Sequence, residues 1–343
     1  MNTIIRDAFD VQNDKDALLK AAEIIKNGGL VGFPTETVYG LGANALDSEA
    51  VKKIFIAKGR PQDNPLIVQV DSIDMALSLV EDFSDAAKSL AQHFWPGPLT
   101  IIMKRSKAVP EVVSAGLSTV AIRLPSDPIA RELISLVGVP IAAPSANLSG
   151  SPSPTTASHV ISDLSGRVDM ILNSHSCDVG VESTVISLAG DKPRLLRPGF
   201  VTPEELSEVL GEIDIDKAVF SSISNDTVVN APGMKYKHYA PKARVFVVKG
   251  DFESFCKFID NKKDEKLVVM CFDNEGSKLN VPYVEYGKES DSKEQATRLF
   301  DALRKVDEMG AQVVYARCPD CTGVGLAVTN RLFKAAGFEV LEA

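Results

Sequence analysis

The chain has 343 residues, of which 45% are hydrophobic and 24% charged, and it carries a formal net charge of −9. This composition is that of an ordinary globular protein, and it argues against collagen, a disordered chain and a coiled coil. The acidic balance excludes a general basic surface for nucleic acid, so any RNA contact would need a local patch. No apolar run approaches the roughly 18 residues of a membrane helix, and the N-terminus predicts no signal peptide. We therefore expect a cytoplasmic protein of about two domains.

Helical and strand patterns alternate through residues 1–210. Asp14 is placed to cap a first helix, whose apolar positions recur at a helical period until two glycines end it at 28–29. Further helical patterns cover 48–57 and 74–94. Buried strands are predicted over 30–33, 66–70, 100–103, 120–124, 141–143, 170–172, 184–188 and 194–196. The mixture predicts a large twisted sheet covered by helices, of the α/β or α+β class.

The composition changes after residue 210. Residues 211–243 mix Ser, Asn, Asp, Pro and Gly without periodicity, and we interpret them as a long linker. A linker of this length that carries aromatic and basic groups is often functional. From residue 244 simple alternation returns, and it predicts a small doubly wound domain over 244–343. Its strands are predicted over 245–248, 267–272, 281–286 and 313–316, and its helices over 252–259, 294–309 and 326–336.

Several common site signatures are missing or weak. The sequence has no GxxxxGK[ST] phosphate loop and no HExxH, and its four histidines are not at metal-ligand spacing. GLGANA at 40–45 resembles a dinucleotide fingerprint, but it begins too far beyond its strand, because that fingerprint needs the first glycine at the strand-to-helix turn. The CPDC run at 318–321 lacks the second cysteine pair of a zinc site, and we interpret it as two ordinary reduced thiols.

Cationic and hydroxyl side chains gather near the ends of the predicted strands. The segments are FPTETVYGLG (33–42), KGRPQDNPLIV (58–68), VAIRLP (120–125), PIAAPSAN (140–147), GVEST (180–184) and LLRPG (195–199). Their small residues let a ligand approach the backbone. Together with Lys58, Arg60, Arg123 and Arg197 in an acidic chain, they predict a pocket for a polyanionic small molecule such as a nucleoside triphosphate.

These six segments, with FWPGPLT (94–100) and APGMKYKHYAP (231–241), resemble the threonylcarbamoyl-AMP synthases of the long form. The resemblance spans essentially the whole chain in the right order. It implies a YrdC-type mixed-sheet catalytic domain over 1–210, a linker that serves as an active-site lid over 211–243, and a Rossmann-like domain over 244–343. It also implies a nucleotidyltransferase: L-threonine and bicarbonate form N-carboxy-threonine, which attacks the α-phosphorus of ATP and releases pyrophosphate.

The resemblance also implies site residues. Lys58 and Arg60 would be catalytic. The implied ATP contacts are Arg60, Asn64, Thr119, Ser145, Asn147, Ser153 and Arg197, with Met234, Tyr236 and His238 from the linker. The implied threonine contacts are Thr37, Gln69, Arg123, Ala143 and Ser183, with Arg123 on the amino acid carboxylate. Gln69 stands where relatives have a histidine, and an amide can hydrogen-bond there but cannot carry charge.

Magnesium is expected to arrive on the ATP phosphates. Glu36, Asp63 and Glu182 are candidate ligands only by their proximity to the motifs. The product would pass to a transferase complex that modifies tRNA beside the anticodon.

Two other functions stay open. The first is an RNA-binding or regulatory module, which the few aromatics in the motif segments disfavour. The second is a carbamoyl-transfer enzyme with another acceptor, which a test of threonine dependence would separate.

Overall fold

The computed structural model describes residues 2–221 and 238–343, which form two sheets with helices packed on them. The first sheet is built from β1 (Ile4–Asp7), β2 (Val31–Phe33), β3 (Gly40–Asn44), β4 (Ile67–Gln69), β5 (Leu99–Lys104), β6 (Thr119–Arg123), β7 (Ile141–Ala142), β8 (Met170–Asn173), β9 (Thr184–Ser187), β10 (Arg194–Arg197) and β11 (Asp214–Ile215). Their order is β1-β8-β2-β3-β7-β4-β6-β5-β9-β10-β11. Parallel pairs such as β4–β6 and antiparallel pairs such as β5–β6 both occur, so the sheet is mixed.

The helices on this sheet are α1 (Lys15–Lys26), α2 (Ser48–Lys58), α3 (Ile73–Ser78), α4 (Asp85–Phe94), α5 (Glu111–Ser114), α6 (Pro128–Val137), α7 (Ala157–Leu164) and α8 (Pro203–Leu210). Helix α2 shows how the local sequence fixes a site residue. The Asp47 carboxylate accepts from two backbone N–H groups of its first turn, and Gly59 ends it in the left-handed conformation. Lys58 is therefore the last helical residue, and its side chain starts from a rigid helix end.

Several details go beyond the sequence expectation, and strand β1 and helices α5 to α8 are not among the predicted elements. The GLGANA segment contributes β3, which was not predicted and runs antiparallel to β2, so its glycines do not form the strand-to-helix turn of a dinucleotide fingerprint, as the sequence indicates. The helical patterns over 74–94 form two helices, because the chain leaves α3 after Ser78 and Ser84 caps α4. Asp14 precedes α1 as expected, but its carboxylate accepts from the N–H groups of Phe9 and Asp10 instead of capping the helix.

The second sheet is entirely parallel and forms the predicted doubly wound domain. Its strands are β12 (Arg244–Lys249), β13 (Leu267–Cys271), β14 (Tyr283–Glu285), β15 (Val313–Arg317) and β16 (Val340–Glu342), in the order β14-β13-β15-β12-β16. Its helices are α9 (Phe252–Asp260), α10 (Ser292–Glu308) and α11 (Val324–Ala335). We confirm the α/β fold, a twisted mixed sheet followed by a smaller parallel one.

The two domains share an apolar interface. Val38, Val179 and Val181 of the first domain belong to the same buried cluster as Phe300 of α10 and Leu332 of α11. Strand β11 lies within the range predicted as linker, yet it pairs with β10 and extends the first sheet. Within residues 2–221 and 238–343, no helix combines the length and the apolar character needed to cross a membrane.

Candidate active site

One cleft in the first domain collects the motif residues. It has about 760 Å³ of empty volume, part of it open to solvent. It is lined from β3, β4, β6, the end of β10, the end of α2 and the loops after β2, α2, β7 and β8, together with His238 and Tyr239. The register of the parallel pair β4–β6 sets Gln69 beside Arg123 and Ile67 beside Ala121. Because alternate residues of a strand share a face, one side of the sheet presents these four side chains together. Cationic and hydroxyl side chains converge on this concave space, which is the arrangement expected of a small-molecule site.

Arg123 is buried and forms the centre of one end of the cleft. Its guanidinium lies 2.7 Å from the Glu36 carboxylate and donates to Thr37 Oγ1 at 2.8 Å. Burial opposes ionisation of Glu36, but the Arg123 charge outweighs it and holds the pKa of Glu36 below its ordinary value. The two charges therefore balance each other, and the remaining N–H groups of Arg123 are free to bind an anion.

The residues around Arg123 include both hydrogen-bond donors and hydrogen-bond acceptors. Gln69 is buried, and its Oε1 has no hydrogen-bond partner in the described part of the chain. The Ser183 hydroxyl is 2.7 Å from Thr100 Oγ1 and accepts from Arg197 at 3.1 Å. Ala143 lines the same end with its backbone, whose N–H donates to Ile67. All five residues that the sequence assigned to threonine, Thr37, Gln69, Arg123, Ala143 and Ser183, line the cleft.

Lys58 lines the same cleft from the end of α2, and its ammonium group is already engaged. It donates to the carbonyl oxygens of Ser145 and Asn147, both at 2.5 Å, and lies 3.4 Å from Asn147 Oδ1. Burial, reinforced by the nearby Arg60 charge, lowers the pKa of Lys58 well below its ordinary value. Lys58 therefore fixes the 145–147 loop, and a bound anion would stabilise its charged form.

Arg60 lines the cleft and has one donor without a partner among the described residues. Its NH2 donates to the carbonyl oxygens of Asn64 at 3.3 Å and Pro65 at 3.2 Å, whereas its buried Nε has no hydrogen-bond partner in residues 2–221 and 238–343. Burial lowers the pKa of Arg60 to about 10, which leaves it charged at neutral pH. Asn64 does not line the cleft, and its backbone supports Arg60 instead.

Arg197 closes the cationic side of the cleft. Its Nε donates to the carbonyl oxygen of Ser183 at 3.0 Å, so the LLRPG and GVEST segments are held together. Burial lowers the pKa of Arg197, and the charges of Glu182 and Tyr239 act in the opposite direction. Lys58, Arg60, Arg123 and Arg197 thus lie around one cleft, as the sequence predicted.

Glu182 is a cleft residue to which the sequence gave no firm role. Its Oε2 lies 2.8 Å from Nε of Arg331, which comes from α11 of the second domain, and its Oε1 accepts from the Ser153 hydroxyl at 2.5 Å. Arg331 is fully buried. One sequence signal could have indicated Arg331. It is the run of polar residues from Thr329 to Arg331 in a helix whose other residues are mostly apolar.

The remaining predicted ATP residues separate into three groups. Ser145, Asn147, Ser153 and His238 line the cleft, and so does Tyr239, which belongs to the predicted lid segment but was not named as an ATP contact. Thr119 lines a neighbouring depression with Ile102 and Leu196. It shares the sheet face of Arg123, about 13 Å further along β6 at the usual rise per residue. Met234 and Tyr236 lie outside the described residues.

The cleft carboxylates do not fit a protein-held metal. Glu36 is paired with Arg123 and Glu182 with Arg331, so neither has a free charge to offer a cation. The described ranges, 2–221 and 238–343, contain no group of three His, Cys, Asp or Glu side chains that could hold an ion. Of the three candidate ligands, Glu36 and Glu182 are therefore ion-pair partners of arginine.

Comparison with known proteins agrees with this arrangement. A family model described as "Telomere recombination" matches residues 23–199, and one described as "Threonylcarbamoyl-AMP synthase, C-terminal domain" matches residues 201–337. The chain is 48% identical to the threonylcarbamoyl-AMP synthase of Pyrococcus abyssi over 94% of each protein. It is 44% identical to that of Bacillus subtilis, over 97% of this chain and 96% of the relative.

A solved structure extends the likeness to three dimensions. The crystal structure of P. abyssi Sua5 complexed with L-threonine is 44% identical to this chain and covers all of it, with a TM-score of 0.89. The match includes 99% of that protein, so both sheets are shared in their mutual arrangement. Sequence, fold and cleft agree, and the chain is an enzyme that belongs to the threonylcarbamoyl-AMP synthase family.

Proposed function

We propose that this enzyme is an L-threonylcarbamoyladenylate synthase, which condenses L-threonine, bicarbonate and ATP to threonylcarbamoyl-AMP and pyrophosphate. The observation that carries the proposal is one cleft lined by two chemically different groups of side chains. Arg123, Gln69 and Ser183 form the group that we call the Arg123 end, and Lys58, Arg60 and Arg197 form the cationic end. A condensation needs both substrates held in reactive geometry, and this cleft offers a site for each.

The Arg123 end suits a small zwitterionic amino acid. The guanidinium of Arg123 retains N–H groups for a carboxylate, which it can bind through two parallel hydrogen bonds. Gln69 Oε1 is a buried acceptor without a described partner, and an ammonium or hydroxyl group of threonine would satisfy it. Thr37, Ser183 and the backbone of Ala143 complete this subsite. Gln69 can accept through Oε1 and donate through its NH2 group, but it carries no charge, since an amide does not titrate.

The cationic end suits the triphosphate. Arg60 and Arg197 bring positive charge and unused N–H groups, and Lys58 holds the 145–147 loop with Ser145 and Asn147 toward the same space. Displacement at the α-phosphorus needs orientation and charge neutralisation rather than a protein nucleophile. The N-carboxy-threonine carboxylate would attack, and pyrophosphate would leave. Magnesium would be held by the ATP phosphates, since the cleft carboxylates are paired with arginines.

The adenosine would extend along the sheet toward Thr119. The strand positions between Arg123 and Thr119 are apolar on this face, with Ala121 and Ile67 in one buried cluster. Met234 and Tyr236 remain predicted lid residues, together with His238 at the cleft wall. The product would be consumed by a transferase that carries the threonylcarbamoyl group to tRNA.

The test is pyrophosphate release from ATP, magnesium and bicarbonate, with and without L-threonine. We expect threonine-dependent release that Arg60→Ala lowers about 10²–10³-fold, as removal of one preorganised charge-stabilising donor does. Arg6→Ala is the control, because Arg6 is exposed on β1 at the edge of the sheet. Release that does not need threonine would indicate another acceptor. No release from folded protein that binds RNA would favour an RNA module.

Lys58→Ala is expected to lower kcat/KM by about 10²-fold or more, because the cleft loses a cation and the 145–147 loop loses its anchor. Lys52→Ala is the matched control on the same helix, where Lys52 is exposed and pairs with Glu49 at 2.7 Å. Steady-state pyrophosphate assays compare the two. If both variants stay within threefold of the parent enzyme, Lys58 has neither role.

A further inference from the structure

The second domain reaches the active-site cleft through one arginine. Arg331 in α11 is fully buried, and its Nε–Glu182 Oε2 distance is 2.8 Å. The other carboxylate oxygen of Glu182 accepts from the hydroxyl of Ser153. Both Glu182 and Ser153 line the cleft. A continuous chain of three side chains therefore joins the core of the C-terminal domain to the wall of the site.

Arg331 also holds the backbone on both sides of this wall. Its NH1 donates to the carbonyl oxygen of Pro198 at 2.8 Å, next to Arg197, and its NH2 donates to the carbonyl oxygen of Glu182 at 3.3 Å. Asn330 Oδ1 accepts a further bond from NH1 at 3.0 Å. Every nitrogen of the guanidinium thus has a partner, which fixes its position as a planar fork.

A second arginine of the same domain supports the neighbouring loop. Arg304 in α10 binds Asp163 through two parallel contacts of 2.9 and 3.0 Å and donates to the carbonyl oxygen of Pro152 at 2.6 Å. Asp163 in turn accepts from the N–H of Leu148 at 3.1 Å. The residues between these two points, 149–151, line the cleft. The domain interface is therefore built around the loops that form the phosphate end.

We infer that Arg331 is a positioning residue supplied by the C-terminal domain, which fixes Glu182 and, through it, the Ser153 hydroxyl where the ATP phosphates bind. This inference rests on the proposed function, because it assigns that end of the cleft to ATP. Arg331 also neutralises a carboxylate that would otherwise face the triphosphate. The second domain is then part of the active site.

The inference can be tested by changing the charges of Arg331 and Glu182 one at a time and together. Arg331→Met leaves the Glu182 carboxylate without its partner, although Arg197, Lys334 and Lys58 remain near it. The unpaired charge repels the ATP triphosphate, whereas L-threonine is a neutral zwitterion and is affected less. Adding Glu182→Gln removes that charge and keeps an oxygen that accepts from Ser153. The double variant should therefore bind ATP better than Arg331→Met alone, which loss of packing would not predict.

The primary measurement is calorimetric binding of magnesium ATP, which does not require turnover. We expect Arg331→Met to raise the Kd at least tenfold, and Glu182→Gln with Arg331→Met to return it to within about threefold of the parent. Thr297→Val is the interface control, because the Thr297 hydroxyl donates to the backbone carbonyl oxygen of Asp178 at 2.9 Å and Thr297 does not line the cleft. This variant should bind ATP like the parent.

Two outcomes would overturn the inference: an unchanged Kd in folded Arg331→Met, or a double variant that binds no better than the single one. If Arg331→Met does not fold, Arg331→Lys takes its place, since it keeps the charge and loses the fork. If Arg331 is a positioning residue, Arg331→Lys should have a several-fold higher Kd for magnesium ATP than the parent enzyme. An unchanged Kd would contradict the inference. Parent enzyme that binds ATP but shows no threonine-dependent pyrophosphate release would refute the proposed function alone.

Discussion

Arg123→Met is expected to abolish threonine-dependent pyrophosphate release and also to destabilise the fold. The variant loses the group that we assign to the threonine carboxylate, so kcat/KM should fall about 10³-fold or more. It also leaves the Glu36 carboxylate buried without its partner at 2.7 Å. Breaking a buried ion pair in this way costs about 3–5 kcal/mol. Urea unfolding and pyrophosphate assays measure the two effects separately.

Glu36→Gln combined with Arg123→Met separates the two roles of Arg123. The double variant has no uncompensated charge, so most of the lost stability should return. Activity should not return, because the threonine carboxylate still lacks its arginine. Recovery of both stability and turnover would show that Arg123 serves only to neutralise Glu36.

The single variant should also reverse the pH dependence that Glu36 contributes to stability. In the parent, Arg123 outweighs burial and lowers the pKa of Glu36, so its stabilisation is present above the unfolded pKa and lost as the pH falls through the folded pKa. In Arg123→Met burial remains without that charge, and the pKa of Glu36 rises above the unfolded value. The free energy of unfolding should then decrease as the pH rises from about 4.3, the ordinary pKa of a glutamate. Unfolding curves at pH 5 and pH 8 measure this difference.

The sequence predicts most strands and the chemistry of the cleft because those signals are local. Apolar runs flanked by Pro and Gly define strands, and the cationic residues sit at their ends within short motifs. Strand β3 is missed because Gly40-Leu-Gly42 has little intrinsic strand preference, and the segment becomes a strand only by pairing with β2. The order of the eleven-stranded sheet, in which β7 lies between β3 and β4, depends on contacts far apart in the chain.

The charge pairs of the site are harder to predict than its residues. Glu36 and Glu182 look like metal ligands in the sequence, since nothing local shows that arginines neutralise them. Arg331 lies 149 positions from Glu182, and only the docking of the second domain brings them together. The helix pattern shows that Arg331 belongs to a polar run between apolar stretches, but the identity of its partner requires the tertiary structure.

Gly180→Ala should destabilise the enzyme and impair threonine and ATP use together, because Gly180 lies where the GVEST segment meets α10. Its φ is +77°, and an added Cβ would collide with backbone atoms of Ala296 and Thr297. The left-handed conformation alone costs an alanine about 1–2 kcal/mol. The collision adds about 1–3 kcal/mol and pushes α10 away from the segment that carries Glu182 and Ser183. Urea unfolding and the KM values of both substrates measure the effect.

Gly138→Ala is the matched control for this prediction. Gly138 ends α6 with a φ of +72°, and an added Cβ would meet nothing within 4 Å. This variant should lose only the stability that the left-handed conformation costs an alanine, about 1–2 kcal/mol, and should keep the KM values of the parent. Equal losses of unfolding free energy in the two variants would mean that the domain interface accommodates the added methyl group without further destabilisation. Unchanged KM values in Gly180→Ala would mean that the cleft does not depend on where α10 sits. Higher KM values in Gly180→Ala, but not in Gly138→Ala, would show that substrate binding depends on the second domain in two ways. It would depend on the backbone packing of the interface as well as on the Arg331–Glu182 ion pair.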